Sequence, residues 1–197
     1  RVILPKYSTM PNYLKEQLKE VAVFSVDVGW RKQYCGLLEM DLNGVKFYFI
    51  DNEYYFKREG EIAYLYGYGD DAERYTFFSN AVLEAMSILN FYPDIVHLND
   101  WHTGMIPLIL KEKYSHSKKY KNIKTVYTIH NLQYQGVFSD SIIEDVLDIP
   151  RAYYNNGDIE YYGGVSFMKS GIVFSDKVIA VSPTYSNEIQ TEFYGEG

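Results

Sequence analysis

The 197-residue sequence predicts an α/β fold, a doubly wound parallel sheet with a small antiparallel strand pair inserted beside it. Three observations predict this. Short, largely apolar runs recur in the second half, "DIVHL" (94–98), "KTVYTIH" (124–130) and "KVIAVS" (177–182), as strands buried in a parallel sheet do. Stretches of helical spacing separate them. The first two runs lie about 30 residues apart, the length of one strand–helix–strand unit.

Taken in order, the elements are these. "RVIL" reads as a short buried strand ended by Pro5. With no initiator Met, the chain reads as a fragment that begins inside a strand. "VAVFSVDVG" (21–29) alternates apolar and polar residues, as a half-buried strand does. "VKFYFID" (45–51) follows the turn signal Asn43-Gly44. These two form the expected antiparallel pair. "EYYFKREGEIAYLYGYGDD" is rich in Gly and Tyr and reads as loop. From Asp71, Phe77, Phe78, Ala81, Ala85 and Leu89 follow helical spacing, with Asp70 or Asp71 placed to cap the first turn.

After "DIVHL", Met105 to Tyr114 reads as a helix, with Pro107 accommodated in its first turn. "DSIIEDVLDI" and "GVSFMKSGIVFSD" read as helical. Ser182-Pro183 is an N-cap and first-turn pair that opens a helix through "TYSNEIQTEF". No internal repeat, low-complexity tract or clear linker interrupts the alternation.

Composition excludes several function classes. Hydrophobic residues make up 47%, enough for a sizeable core. The net charge of -7 argues against nucleic acid as partner, because phosphate binding needs clustered Lys and Arg. The one basic run, "KEKYSHSKKYKNIK", reads as a solvated helix end and loop. Cys35 is the only cysteine, so no internal disulfide forms, and a reducing, cytoplasmic setting fits. No apolar run reaches membrane-spanning length. The 21 tyrosines fit AT-rich codon usage better than a surface for sugar stacking.

The polar clusters share one placement. Asn99 to His102 follow "DIVHL", His130 and Asn131 close "KTVYTIH", and Ser182 closes "KVIAVS". Ligands bind at the carboxyl ends of strands in an open parallel sheet. If these strands are neighbours, their ends lie about 5 Å apart. Each residue also has a plainer role. His97 falls inside a strand and reads as core. Asp100 fits a helix cap as well as a rim group, and Trp101 fits core filler. His116 reads as surface. His130 is harder to dismiss, since an imidazole at a strand end, followed by Asn, Gln, Tyr and Gly, suits a polar ligand. A zinc site from His97, His102 and His130 fits poorly, because the spacing straddles a strand end and no cysteine helps.

"HLNDWHTGMIPLILK", "YTIHNLQYQGVF", "SFMKSGI" and "AVSPTYSNEI", in this order, resemble the N-terminal domain of bacterial glycogen synthases and plant starch synthases; "RVILPKY" and "YCGLLEM" fit the same pattern. The resemblance implies the Rossmann-like N-terminal half of a GT-B fold, in which two domains face each other across a cleft. It implies transfer of glucose from ADP-glucose to the non-reducing end of an α-1,4-glucan, with retention and without metal or cofactor. It marks His130 and Asp100 as catalytic. His130 would support the developing oxocarbenium charge and the sugar hydroxyls, and Asp100 would position hydroxyls. Asn131, Trp101, His102, Gln133, Tyr134 and Gln135 would shape or line the acceptor side.

The family's glycine loop (K-T-G-G-L) and its nucleotide-binding second domain do not occur in these residues. Residues 1–197 are therefore expected to be an N-terminal catalytic domain lacking its first βα unit, inactive when isolated, with the donor site mostly elsewhere. Oligomeric state, and ADP-glucose against UDP-glucose, are open at this level. A non-catalytic glucan-binding module and another GT-B nucleotide-sugar transferase are the alternatives.

Overall fold

The computed structural model describes residues 1–58 and 65–196. The chain forms two compact units, Arg1–Asn90 and Phe91–Gly197. The middle of the Tyr-rich stretch read as loop, 59–64, lies outside the described residues.

The first unit holds strand β1 (Val2–Pro5), a short helix α1 (Asn12–Lys15), strands β2 (Lys19–Val28), β3 (Arg31–Leu42) and β4 (Val45–Asp51), a one-turn helix α2 (Glu53–Phe56) and helix α3 (Asp71–Ile88). The sheet order is β1-β4-β3-β2, with β1 parallel to β4 and the other pairs antiparallel. This corrects the expected strand pair. "VAVFSVDVG" and "VKFYFID" are not neighbours, because β3 lies between them and pairs with both. The sequence of β3 hides it: Gly36-Leu37-Leu38 breaks the two-residue alternation. Gly36 leaves little room there: a Cβ would lie 3.2 Å from Asp51 Cβ and 2.9 Å from the Tyr34 hydroxyl, which would have to swing aside. The turn at Asn43-Gly44, both at positive φ, joins β3 to β4 as a tight hairpin. Nor is "RVIL" fully buried. Leu4 is exposed on β1, which ends its sheet among the described strands.

Helix α3 packs on β2 and buries Phe77, Phe78, Ala81 and Ala85, as their spacing predicts. It ends at Ile88, one residue short of Leu89. Asp70 occupies the N-cap position without a side-chain cap bond. Asp71 instead accepts from the backbone N–H of Gly67 and Tyr68 and bonds Arg74.

The second unit holds β5 (Ile95–Asn99), α4 (Ile106–Tyr114), β6 (Lys124–Ile129), β7 (Val137–Ser139), α5 (Ala152–Asn155), β8 (Glu160–Tyr161), β9 (Gly164–Ser166), α6 (Phe167–Phe174), β10 (Lys177–Ala180) and α7 (Pro183–Glu188). The three apolar runs form one parallel sheet in the order β10-β6-β5. Helix α6 lies against β6, with Gly171 so close that a Cβ would meet the Tyr127 ring at 2.4 Å. Ser182 caps α7 by accepting from Tyr185 N–H, and the helix stops at Glu188.

Two helical expectations shrink. "GVSFMKSGIVFSD" begins as strand β9, which pairs with β7 and β8 in a small antiparallel sheet. Ser166 then caps α6 by accepting from Lys169 N–H at 2.9 Å, so helix cannot extend upstream of it. In "DSIIEDVLDI" only Ile143–Leu147 is helical, a single wide turn ended by Asp148 at φ 50°.

Candidate functional site

The rim forms where β5 and β6 end together. Asp100 N–H donates to Thr128 carbonyl oxygen at 3.1 Å, one last ladder bond past the strand. The chain then turns sharply. Asp100 has φ 54° and ψ -178°, a combination that only glycine adopts freely and that costs on the order of 1–3 kcal/mol for other residues. The surroundings over-determine it. Thr103 N–H donates to Asp100 carbonyl oxygen at 3.1 Å. Thr103 hydroxyl bonds the Asn99 and Asp100 carbonyls at 3.0 and 3.2 Å and accepts from Asn99 N–H at 2.8 Å.

That turn aims the Asp100 carboxylate across to β6. Its Oδ1 accepts from His130 N–H at 2.8 Å and Asn131 N–H at 3.3 Å. Charge-assisted bonds of this kind are roughly twice as strong as neutral ones. His130 and Asn131 are thus fixed through their backbone, while both side chains stay exposed. His130 Nε2 lies 2.9 Å from Asn99 Oδ1. Asn131 Oδ1 accepts from Gln133 N–H at 3.1 Å, closing a local turn. Leu132, buried just behind, donates its N–H to the Tyr185 hydroxyl of α7 at 2.8 Å. The ends of all three core strands are therefore tied to this loop or its anchor.

The predicted site residues separate into two groups. Asp100, His130 and Asn131 meet at the rim. Gln133 and Tyr134 are exposed on the loop that follows. Trp101 is 4% exposed and packs on Phe138 and Phe167. Gly136 has to be glycine beside it, since a Cβ would meet the indole at 2.5 Å. His102 stacks on Trp101 with ring centroids 4.0 Å apart. Gln135 faces inward: Nε2 donates to Leu132 carbonyl oxygen at 2.6 Å, and Oε1 accepts from Ser166 hydroxyl at 3.0 Å. Trp101 and Gln135 act by holding the loop.

His97 is not the core residue its strand position predicts. It is exposed, with Nε2 at 2.6 Å from Thr128 Oγ1. The reason is the face it occupies: Ile95 and Asn99, on the same side of β5, are exposed as well, whereas Leu98 on the opposite side is buried. Sequence reading places Asn99 in the rim cluster without a role of its own, and misses Thr103 and Tyr185. Asn99, Thr103 and Tyr185 act on the rim through contacts set by strand register and helix packing. Only the "SPTY" cap hinted at the place of Tyr185. Among the described residues, no three His, Cys, Asp or Glu side chains gather into a metal-ligating cluster.

One buried group feels the rim electrostatically. Burial, and second the Asp100 charge, raise the Tyr127 hydroxyl well above its ordinary pKa. It stays protonated and donates to Met168 Sδ at 3.2 Å.

A parallel sheet with a braced polar rim at its carboxyl ends defines an α/β domain, a class in which ligands bind at such strand ends. The chain belongs to the starch synthase catalytic domain family, whose model matches residues 1–197. It is 72% identical over 196 residues to the glycogen synthase of Clostridioides difficile (strain 630), covering 100% of this chain and 41% of that protein. With the glycogen synthase of Caldicellulosiruptor saccharolyticus it shares 53% over 197 residues, again all of this chain and 40% of that protein. The catalytic domain of Starch Synthase IV from Arabidopsis thaliana, bound to ADP and acarbose, superposes with a TM-score of 0.85 at 27% identity. That match covers 98% of this chain and 40% of the other. The fold is accordingly α/β of the GT-B type. The chain spans about two fifths of the length of the relatives it matches.

Proposed function

We propose that this chain forms the acceptor-side part of a retaining glucosyltransferase that moves glucose from ADP-glucose to the non-reducing end of an α-1,4-glucan. The observation that carries the reading is the Asp100 brace, whose bonds of 2.8 and 3.3 Å hold the His130–Asn131 backbone while both side chains face solvent. Family membership supports it, as does a structural neighbour bound to ADP and acarbose.

In this reading His130 supports the positive charge that develops on the transferred glucose and bonds its hydroxyls. Asp100 acts by placing His130, and Asn131, Gln133 and Tyr134 offer amide and phenol partners to the acceptor. A neutral, hydroxylated substrate calls for such groups rather than a basic patch, so the net charge of -7 is no obstacle. Retention without a covalent intermediate makes positioning and electrostatic stabilisation the main catalytic terms. No metal or cofactor takes part. Most of the donor site belongs to parts of the protein outside these 197 residues, so the isolated chain transfers no glucose. The setting is the cytoplasm, and no described helix is long and apolar enough to cross a membrane.

The test is glucose incorporation from ADP-glucose into glycogen by the full-length protein. His130→Ala should lower turnover by about 2–4 kcal/mol of barrier while glucan affinity changes little. Wild-type turnover in that variant sinks the assignment. Glucan binding without any transfer in the unmodified protein would favour a binding module.

A further inference from the structure

Asn99, the last residue of β5, places its amide oxygen Oδ1 2.9 Å from His130 Nε2. An amide oxygen only accepts hydrogen bonds, so the proton of this contact sits on Nε2. A neutral imidazole carries one ring proton, which leaves Nδ1 as a lone pair. Among the described residues no group bonds Nδ1. Asn99 is itself held on its backbone, where Thr103 hydroxyl accepts from its N–H and donates to its carbonyl at 2.8 and 3.0 Å. Two strand ends are thus cross-linked at side-chain level as well as through Asp100.

We infer that Asn99 is a positioning residue that fixes the neutral His130 ring as its Nε2–H tautomer and presents Nδ1 as an acceptor for a substrate hydroxyl. The identity of that hydroxyl-bearing substrate rests on the glucosyl-transfer reading; the tautomer does not. A ring with the other tautomer would offer Nδ1–H, a donor, and would suit a different partner. The exposed ring makes the device necessary, since no packing locks its orientation.

The experiment is a long-range 1H–15N correlation spectrum of the full-length protein labelled with 15N-histidine, at mildly alkaline pH. The His130 signals are assigned by their absence in His130→Ala. The expected wild-type pattern is Nε2–H. Asn99→Leu, which removes the acceptor, should give mixed tautomers and lower kcat about tenfold, the effect of one lost hydrogen bond in the transition state. Its KM for glucan should move no more than about twofold. Asn99→Asp retains an acceptor oxygen and should retain the Nε2 proton. An Nδ1–H pattern in the wild type overturns the inference, as does a tautomer unchanged in Asn99→Leu. If the wild type shows Nε2–H but transfers no glucose, the glucosyl-transfer reading fails while the role of Asn99 stands.

Discussion

Two polar networks of this molecule, one in each unit, invite comparison. In the first unit Arg74 is fully buried. Its Nε donates to Tyr55 carbonyl oxygen at 2.8 Å, one terminal nitrogen donates to Leu65 carbonyl oxygen at 3.3 Å, and the other pairs with Asp71. Tyr75 donates to the same Leu65 carbonyl at 2.7 Å and contacts the Tyr7 hydroxyl at 3.1 Å. Burial raises the Tyr75 hydroxyl far above its ordinary pKa. These donors are spent on the protein itself. In the second unit Asp100 spends its carboxylate on backbone N–H groups, and the side chains it braces face solvent. Both networks are rich in hydrogen bonds. The first closes on itself and holds a fold; the second holds a backbone still and leaves side-chain chemistry facing outward. A rim of that kind leaves donors and acceptors available to a ligand.

The largest expected effect sharpens the first half of this contrast. Arg74→Ala leaves Asp71 buried with its charge unmatched and should destabilise the first unit by about 3–5 kcal/mol. Urea denaturation checks it. A loss below about 1 kcal/mol would mean that water or rearrangement satisfies Asp71, and the network would not be closed.

Next is His130→Ala, with its expected barrier increase of about 2–4 kcal/mol. Because His130 is exposed, its removal should leave stability within about 0.5 kcal/mol. A large drop in melting temperature would place His130 with the structural residues and erase the contrast.

Gly104→Ala tests how tightly the rim is supported from below. A Cβ there would lie 1.9 Å from Phe167 carbonyl oxygen, backbone that cannot swing away as a side-chain tip can. A destabilisation of about 1–3 kcal/mol is expected by equilibrium unfolding. A neutral result would show that the loop after Asp100 shifts freely.

Much of the second unit was legible beforehand. Its core strands are short apolar runs with polar residues at their ends, so pattern alone placed Asp100, His130 and Ser182 on one rim. The Ser182-Pro183 cap was equally plain, because side-chain capping is local chemistry. What stayed hidden depends on register or on distant partners. β3 carries a glycine and adjacent leucines that break its period. β7 and β9 have three residues each, too few to show a period. The exposure of His97 depends on which face of the sheet is left open, which no single strand reveals. The Asn99–His130 bond joins neighbouring strand ends 31 residues apart. Helical spacing put Phe77 and Ala81 in the core but could not show that Arg74 joins them.

The smallest effect concerns the opposite end of the same sheet. Asp176 accepts from Thr125 N–H at 2.9 Å and from Thr125 hydroxyl at 3.1 Å, and pairs with Lys124 at 2.8 Å. The Lys124 hydrogen bond first, then the Thr125 backbone bond, hold its carboxyl below the usual aspartate pKa. A depressed carboxylate stabilises the fold above its unfolded pKa, and that contribution is lost as pH falls through the folded value, here on the acid side of the ordinary aspartate range. Asp176→Asn should flatten this acid limb and change neutral-pH stability only slightly, since the pair is half in solvent. An acid limb that keeps its slope in Asp176→Asn would assign it to other carboxylates.

The contrast between the closed and the open network is tested most directly by one paired measurement on the full-length protein. His130→Ala and Arg74→Ala are compared for kcat per folded molecule, in glucose transfer from ADP-glucose to glycogen, and for melting temperature. The expected result is a double dissociation: His130→Ala loses turnover at an unchanged melting temperature, and Arg74→Ala loses melting temperature at nearly unchanged kcat. Equal losses of both quantities in both variants would contradict it.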